Sequence, residues 1–300
     1  MAPVTVIGIF GPTASGKSAV AAAVAQRIPA EVVSADAMQV YEGLPILTNR
    51  SPYPERLVGI WPLSHTASVG EYAPLAHGAV DEILASGRTP LVVGGTGLYF
   101  RAALAELALP PAPAPGARER WSRFYDEQGP EAAHARLAAL DAEAAARVHA
   151  NDRRRVVRAL ELAEGGGSLA PGTERLFAGG WRHPTLVVVL ELPKDVLERR
   201  IEERTRAMFE AGVEDEVRRA LDGPVSATAR ATIGLDEVAS LPLEQAVAAL
   251  VARTRRYAAY QRKWQRRLEG AAIVAGDRPP GEIADEIIAL ARTRERLHRP

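Results

Sequence analysis

Two hydrophobic patterns alternate along the chain. One consists of short continuous apolar runs: Val4 to Phe10, Ala30 to Asp36, Pro90 to Val93 and Thr185 to Leu192. Runs of this kind, closed by glycine or polar turns, predict strands buried on both faces of a parallel sheet. The other has apolar residues three and four apart, which predicts helices. It covers Ser18 to Ile28, Val69 to Ser86, Ala117 to Glu164, the stretch from Pro193 to Gly212, and Leu243 to Arg267. Gly87 and Pro90 suit the end of the second of these helices. Residues 43 to 70 are rich in Pro, Gly and Ser, and predict a loop region with one short strand. Ala272 to Val274 predicts a final edge strand, followed by a terminal helix and a loose tail at His298 to Pro300.

Strands alternating with helices predict an α/β fold with a parallel sheet. Pro110 to Gly116 has the composition of a semi-rigid linker, and Gly165 to Ser168 is a second break. The stretch between has helical patterning and no clear strand. We therefore expect a P-loop NTPase-like parallel-sheet core, residues 1–111 and 181–300, with a mainly helical insertion domain, residues 112–180.

The turns after the predicted strands carry the candidate chemistry. Gly11-Pro12-Thr13-Ala14-Ser15-Gly16-Lys17-Ser18 lies between a strand and a helix. In that context G-x-x-x-x-G-K-[ST] is a phosphate-binding loop. Its backbone amides and the helix N-terminus converge on an anion, Lys17 reaches terminal phosphate oxygens, and the Ser18 hydroxyl ligates Mg²⁺. The second strand ends at Asp36, on the same rim of an open parallel sheet. Position favours Asp36 as a general base or as a group holding the water around Mg²⁺, the alternative being a cap for the turn that follows. Gly94-Gly95-Thr96-Gly97 closes the third strand. It suits close approach of backbone to a ligand with Thr96 available, or a tight connection needing positive φ. One of Arg199, Arg200, Arg204 and Arg206 is expected to point back to the phosphate rim, where a transferring or departing phosphate favours a planar multi-donor cation.

Composition narrows the partners. The 300 residues are 47% hydrophobic and 25% charged with zero formal net charge, so no global field draws the chain to nucleic acid. There is no cysteine, which excludes disulfides, thiolate metal sites and a cysteine nucleophile. No leader and no run of membrane-span length is seen, and a cytoplasmic location is expected. Positive charge is nevertheless concentrated in two segments, Asn151 to Leu160 and Arg253 to Arg267. On a helix Arg154 and Arg158 share a face; that face is either solvated and paired with acids such as Glu161, or turned to a polyanion. The second segment has seven positive charges and no acid, with Tyr257, Tyr260 and Trp264 on one helical face. We expect the aromatics to pack inward and the arginines to face an anionic partner. A phosphate loop alone suggests a nucleotide or small-molecule kinase. Two basic segments exceed what a small substrate needs.

Taken together, these residues resemble the tRNA dimethylallyltransferases. The resemblance rests on the loop Gly11 to Ser18, Ser34-Ala35-Asp36 with Gln39 and Tyr41, and Gly94-Gly95-Thr96-Gly97-Leu98-Tyr99. It continues through Asn151-Asp152, Arg155 and Arg158-Ala159-Leu160-Glu161, then Arg204, Met208 and Gly212, then Gln261 and Trp264. The motifs run in the family's order over nearly the whole chain. The resemblance implies transfer of a dimethylallyl group from dimethylallyl diphosphate to the exocyclic N6 amine of the adenosine 3′ to the anticodon, position 37, in tRNAs reading codons that begin with U. It implies Asp36 as base, with Thr96, Lys17 and Arg204 also catalytic, and Mg²⁺ as cofactor on Ser18. It implies that residues Asp36, Ala37, Met38 and Gln39, with Thr96, Arg118, Arg154, Arg155, Val156, Val157 and Arg158, touch the tRNA anticodon stem-loop. Separately, a monomer is expected. Departures from the family pattern are Ala37 for Ser, the segment Leu44 to Pro52 in place of I-G-T-A-K-P, a single histidine in Ser64-His65, and Tyr260 for Arg. Prenylation of a free adenine nucleotide is the nearer alternative, a kinase the more distant one, and RNA binding without catalysis a third.

Overall fold

The structure, a computed structural model, describes residues 5–107, 114–169 and 180–296. Most of the proline-rich linker, at 110–113, and the tail expected at 298–300 lie outside the described residues. The chain divides into two compact units, Met1–Ala105 with Trp181–Pro300, and Glu106–Gly180.

The first unit is built on a parallel sheet. Its strands are β1 (Val6–Phe10), β2 (Ala30–Ser34), β3 (Glu55–Arg56), β4 (Thr89–Gly94), β5 (Thr185–Glu191) and β6 (Ala272–Ala275). They pair in the order β3-β2-β4-β1-β5-β6, with every pairing parallel. The chain builds leftward from β1 to β2 and β4, then crosses to β5 and β6. That makes β1 the switch point, where the carboxyl ends of neighbouring strands open a crevice. Ile7 pairs with Leu91 on one side and Leu186 on the other, so β1 is central. The loop region between β2 and the next helix contains only the two-residue β3 and an isolated bridge from Tyr41 to Trp61.

Sequence explains the layering. Helix α1 (Lys17–Ala25) places Val20, Ala21 and Val24 against Ile7, Ile9 and Leu186 of the sheet. The terminal helix adds Ile283, Ala284 and Ile287 to the same cluster. Burying one such Val or Ile side chain contributes roughly 1.5–3 kcal/mol, so this face is closed by apolar packing and the polar groups gather on the rim. On the opposite face lie α2 (Val69–Ala85) and α3 (Gly97–Leu104). Phe100 meets Phe10 edge-on at 5.2 Å between ring centroids, and the buried Tyr72 hydroxyl donates to the Ser34 carbonyl at 2.8 Å. Ser68 caps α2 by accepting from the Glu71 N–H, and Gly87 just beyond its end has φ 73°.

The segment Leu44 to Pro52, where the chain departs from the family pattern, is held internally. Leu44 and Leu47 are buried in a cluster with Met208, Val213 and Leu250. The buried Glu216 carboxylate accepts from the N–H groups of Ile46 and Leu47, both at 2.8 Å.

The second unit contains α4 (Ala117–Gln128), α5 (Pro130–Leu140), α6 (Ala142–Arg147) and α7 (Arg153–Glu164). They enclose a small core that includes Ala133, Leu137, Val156 and Leu160. Asp152 caps α7 by accepting from the Arg155 N–H at 3.1 Å. The chain then returns to the first unit, where β5 is followed by α8 (Lys194–Glu210) and α9 (Val213–Leu221). Two short helices, α10 (Ala227–Arg230) and α11 (Leu235–Ser240), lead into the long α12 (Leu243–Gln265).

Candidate active site

Each strand of the crevice delivers one group to the rim. The loop after β1 reaches left-handed backbone twice, at Ala14 with φ 63° and Gly16 with φ 88°. Gly16 adopts this at little cost, whereas a residue with a Cβ is disfavoured by roughly 1–2 kcal/mol. The turn brings Lys17 back over the loop, where its Nζ donates to the Pro12 carbonyl at 2.8 Å. The first N–H groups of α1 have no partner within the helix and remain directed at the loop. Two amides expected to face an anion are instead engaged by the protein. The Thr13 N–H donates to Gln261 Oε1 at 2.8 Å, and the Ser15 N–H to the Pro12 carbonyl at 3.2 Å.

After β2, Asp36 accepts from the Met38 N–H through Oδ1 at 2.9 Å. This is the capping contact considered from sequence, and it fixes the carboxylate beside the loop. Gln39 is engaged at both ends, accepting from the Ser34 hydroxyl and donating to the Thr48 carbonyl. After β4, Thr96 Oγ1 accepts from the Ala37 N–H at 3.3 Å and lies 3.1 Å from the Tyr257 hydroxyl.

The electrostatics converge on Asp36. Burial pushes the Lys17 amine down to about 8; the Asp36 and Glu55 carboxylates oppose this and Arg204 adds to it. Burial likewise pushes Arg204 down to about 10, opposed by Asp36. Of the four arginines considered on α8, Arg204 is the one held this way: its buried Nε has no hydrogen-bond partner among the described residues. Arg200 donates to the Gly276 carbonyl, while Arg199 and Arg206 pair with Glu203 and Glu202 on the surface. Two desolvated cations facing one carboxylate form a site prepared for an anion of higher charge.

Three contributors were not assigned roles from sequence. Burial pushes the Glu55 carboxyl up to about 7; its hydrogen bond with Ser51 opposes this, as does Lys17, and Asp36 adds to it. Nothing in its loop distinguished it. Tyr257 and Gln261 stand four apart on α12, polar groups on a face otherwise turned inward, and that spacing was the available signal.

Expectations for the second glycine turn and for α12 are corrected. None of Gly94, Gly95 and Gly97 has positive φ. A Cβ at Gly94 would lie 2.2 Å from the Ala35 carbonyl oxygen, at Gly95 2.3 Å from Gln261 Nε2, and at Gly97 2.1 Å from Trp264 Cδ2. The space before this turn is filled by protein, so its glycines admit α12 and β2 instead of a ligand. On α12 Gln261 is buried, but Tyr260 is 55% exposed and does not pack inward. Arg253 and Arg255 of the same helix pair with Glu237 and Glu202, and Arg256, Lys263 and Arg266 are not buried.

In the helical unit, α7 presents a mixed picture. Arg154 and Arg155 are exposed. Arg118 and Arg158 both pair with the buried Glu161, at 3.0 and 2.9 Å, and Arg153 is bidentate to Asp126. Val156 and Val157 are 0% and 5% exposed in the core of this unit, so contact of their side chains with RNA is excluded by packing. Among the described residues no cluster of three or more His, Cys, Asp or Glu side chains could cage a metal. Ser18 in the first turn of α1, with Asp36 and Glu55 beside Lys17, fits an ion that keeps its water and takes most other ligands from a bound phosphate, which is the habit of Mg²⁺.

Comparison with known proteins places this geometry. The family model for IPP transferase matches residues 39–268, and that for isopentenyl transferase matches residues 4–60. The chain belongs to the IPP transferase family. Among members of the IPP transferase family, the tRNA dimethylallyltransferase of Thermobifida fusca is 38% identical over 304 residues, covering 95% of this chain and 94% of that protein. That of Acidothermus cellulolyticus is 44% identical over 219 residues, covering 71% and 68%. The crystal structure of the full-length tRNA isopentenylpyrophosphate transferase of Bacillus halodurans superposes with TM-score 0.69 at 31% identity, covering 98% of both chains. A eukaryotic dimethylallyltransferase acting on tRNA shares the fold, with TM-score 0.80 at 23% identity over all of this chain and 81% of that one. Within this IPP transferase, no helix of the described residues is long and apolar enough to cross a membrane.

Proposed function

We propose that this chain transfers a dimethylallyl group from dimethylallyl diphosphate to the N6 amine of the adenosine 3′ to the anticodon, position 37, in tRNAs reading codons that begin with U. The observation that carries this reading is the pair of desolvated cations, Lys17 and Arg204, facing Asp36 across the loop of an IPP transferase. The exocyclic amine of adenine is a weak nucleophile. As its nitrogen bonds to the allylic carbon, the bond from that carbon to the diphosphate oxygen breaks, and Asp36 takes the amine proton. Negative charge grows on the departing oxygens, where Lys17, Arg204 and the first-turn amides of α1 would stabilise it. Ser18 would hold Mg²⁺, which supplies further charge neutralisation to the leaving group.

The target base must leave the anticodon-loop stack to reach Asp36. Exposed Arg154 and Arg155, with Arg118 and Arg158 arrayed by Glu161, supply the phosphate-binding surface of the helical insertion. The setting is the cytoplasm, where tRNA is modified. The test incubates the protein with dimethylallyl diphosphate, Mg²⁺ and unmodified tRNA bearing adenosine after the anticodon. Mass gain on that adenosine, lost in Asp36→Ala, is expected. Phosphate transfer from ATP without prenylated RNA would overturn the reading. Arg158→Ala is expected to weaken tRNA affinity while leaving diphosphate affinity unchanged.

A further inference from the structure

Within the helical unit, Asp126, Glu143 and Glu164 pair with Arg153, Arg147 and Arg120 on the exposed surface. Such pairs hold their side chains loosely. Glu161 is different. Its side chain is 1% exposed, and it follows and precedes the buried Leu160 and Leu162 on α7. Its two oxygens are divided between two helices. Oε1 accepts from Arg118 Nε of α4 at 3.0 Å, and Oε2 accepts from Arg158 Nη1 of α7 at 2.9 Å. Stability alone does not account for this carboxylate. An apolar side chain in place of a buried ion pair is often neutral or stabilising, because no charge then has to be desolvated. Arg118 also stands in the first turn of α4, where the helix dipole disfavours a cation. What the arrangement gains is geometry: one carboxylate fixes two guanidiniums side by side. Breaking either pair would leave buried charge uncompensated, so the arginines do not leave Glu161 to reach a ligand. They need not leave it. A guanidinium has five N–H donors, and the two side chains are still 43% and 26% exposed, where an outside anion reaches them.

We infer that Glu161 is a positioning residue for RNA: it holds Arg118 and Arg158 as one fixed pair that meets the phosphate backbone of the tRNA, and the pair stays intact in the complex. The inference rests on the proposed function for the identity of the RNA, but not for its geometry. Charge and position make opposite demands at this residue. As a charge, a carboxylate between two arginines leaves them a net charge of one instead of two and repels phosphate, so its removal should tighten RNA binding. As a positioner, its removal should weaken RNA binding even though the surface becomes more positive. Phosphate contacts of this kind set the register of the RNA on the protein and carry no sequence information of their own. No covalent bond is made or broken.

Glu161→Gln reads the sign with an almost unchanged shape. The glutamine oxygen still accepts from one guanidinium, but its NH₂ group faces the other and cannot accept. The expected result is a Kd for an unmodified anticodon stem-loop, and a KM for tRNA, higher by on the order of tenfold. The slope of log affinity against log salt should flatten by about one. The kcat at saturating tRNA and the Kd for inorganic pyrophosphate should change much less. RNA binding that is unchanged or tighter would overturn the inference. A loss of affinity that comes only from loosening of the helical unit is separated by a cycle. In the background of Arg118→Ala with Arg158→Ala, Glu161 has no guanidinium left to position, so Glu161→Gln should cost no further RNA affinity. In that background it should also raise the thermal midpoint, since it removes a buried charge that has lost both partners. The same loss of affinity repeated there would overturn the inference. Wild-type protein that binds the stem-loop without prenylating it would remove the proposed reaction and leave Glu161 in this role; wild-type protein that does not bind the stem-loop would overturn both.

Discussion

The turn Gly11–Ser18 after β1 and the turn Gly94–Gly97 after β4 are both glycine-rich connections from strand to helix on one rim of the sheet. In the first, the chain goes left-handed at Ala14 and Gly16, and a Cβ on Gly16 would meet nothing nearer than Arg200 Nη1 at 3.9 Å. In the second, no glycine has positive φ, and a Cβ on any of the three would lie within 2.3 Å of Ala35, Gln261 or Trp264. In the first turn Gly16 shapes backbone around open space, while at Gly11 a Cβ would lie 2.7 Å from Ser15 Oγ. The second turn uses its glycines to let the protein's own groups come close. Glycine content alone therefore does not mark a ligand cradle; the space in front of the backbone does.

Substitutions should separate the two turns by what they damage. The largest effect is expected for Lys17→Met, which removes a cation aimed at the leaving group. Prenyl transfer should fall by on the order of 10²–10³. Stability should be unchanged or higher, since the amine is already held down by burial. A large drop in thermal midpoint together with near-normal turnover would reverse the comparison. At the second turn, Gly94→Ala drives a methyl group into the Ala35 backbone, which cannot rotate away. A cost of about 3 kcal/mol in denaturant unfolding is expected, with pyrophosphate affinity preserved in the molecules that remain folded.

Acidity gives a smaller and cleaner separation. With Lys17 pushed down to about 8, the free protein carries the ammonium at pH 7 and the neutral amine at pH 9. Diphosphate binding needs the charged form, so above pH 8 it must take up a proton. Affinity for pyrophosphate should fall about tenfold between pH 7 and 9 relative to Lys17→Met, in which that dependence is absent. Gly97→Ala, altered only in the second turn, should keep the wild-type slope. Identical slopes in wild type and Lys17→Met would remove Lys17 from the binding step.

Much of this was readable from residue order, and the reasons are local. The apolar runs of β1, β4 and β5 mark themselves because both faces of a parallel sheet are buried. Gly16, Lys17 and Ser18 declare a phosphate loop because the turn, the helix start and the cation are consecutive. Asp36 was placed by its position at a strand end. Glu55, Tyr257 and Gln261 were not assigned because their roles depend on tertiary approach: Gln261 lies 248 residues from the Thr13 amide it holds. The departure at Leu44–Pro52 was visible, but not that Glu216 would hold it. Tyr260 shows the limit of periodicity, since a residue three from Tyr257 and four from Trp264 still faces solvent.

The finest test of the comparison is a cycle between the second turn and α12. A Cβ at Gly95 would meet Gln261 Nε2 at 2.3 Å and the Gly11 carbonyl oxygen at 2.7 Å, so removing the Gln261 side chain should relieve the first clash and leave the second. Gly95→Ala alone should destabilise by overpacking, and Gln261→Ala alone by loss of the Thr13 hydrogen bond and of buried contact. The double variant should be more stable than the sum of the two, by about 1 kcal/mol in denaturant unfolding, because residues in direct contact do not act independently. The same pairing with Gly16→Ala should be additive, since Gln261 is not among the atoms near Gly16. Additivity at Gly95 would mean that the Gly11 carbonyl, and not Gln261, is what requires glycine there. Coupling at Gly16 would mean that the phosphate loop, despite its open face, is also shaped from behind by α12.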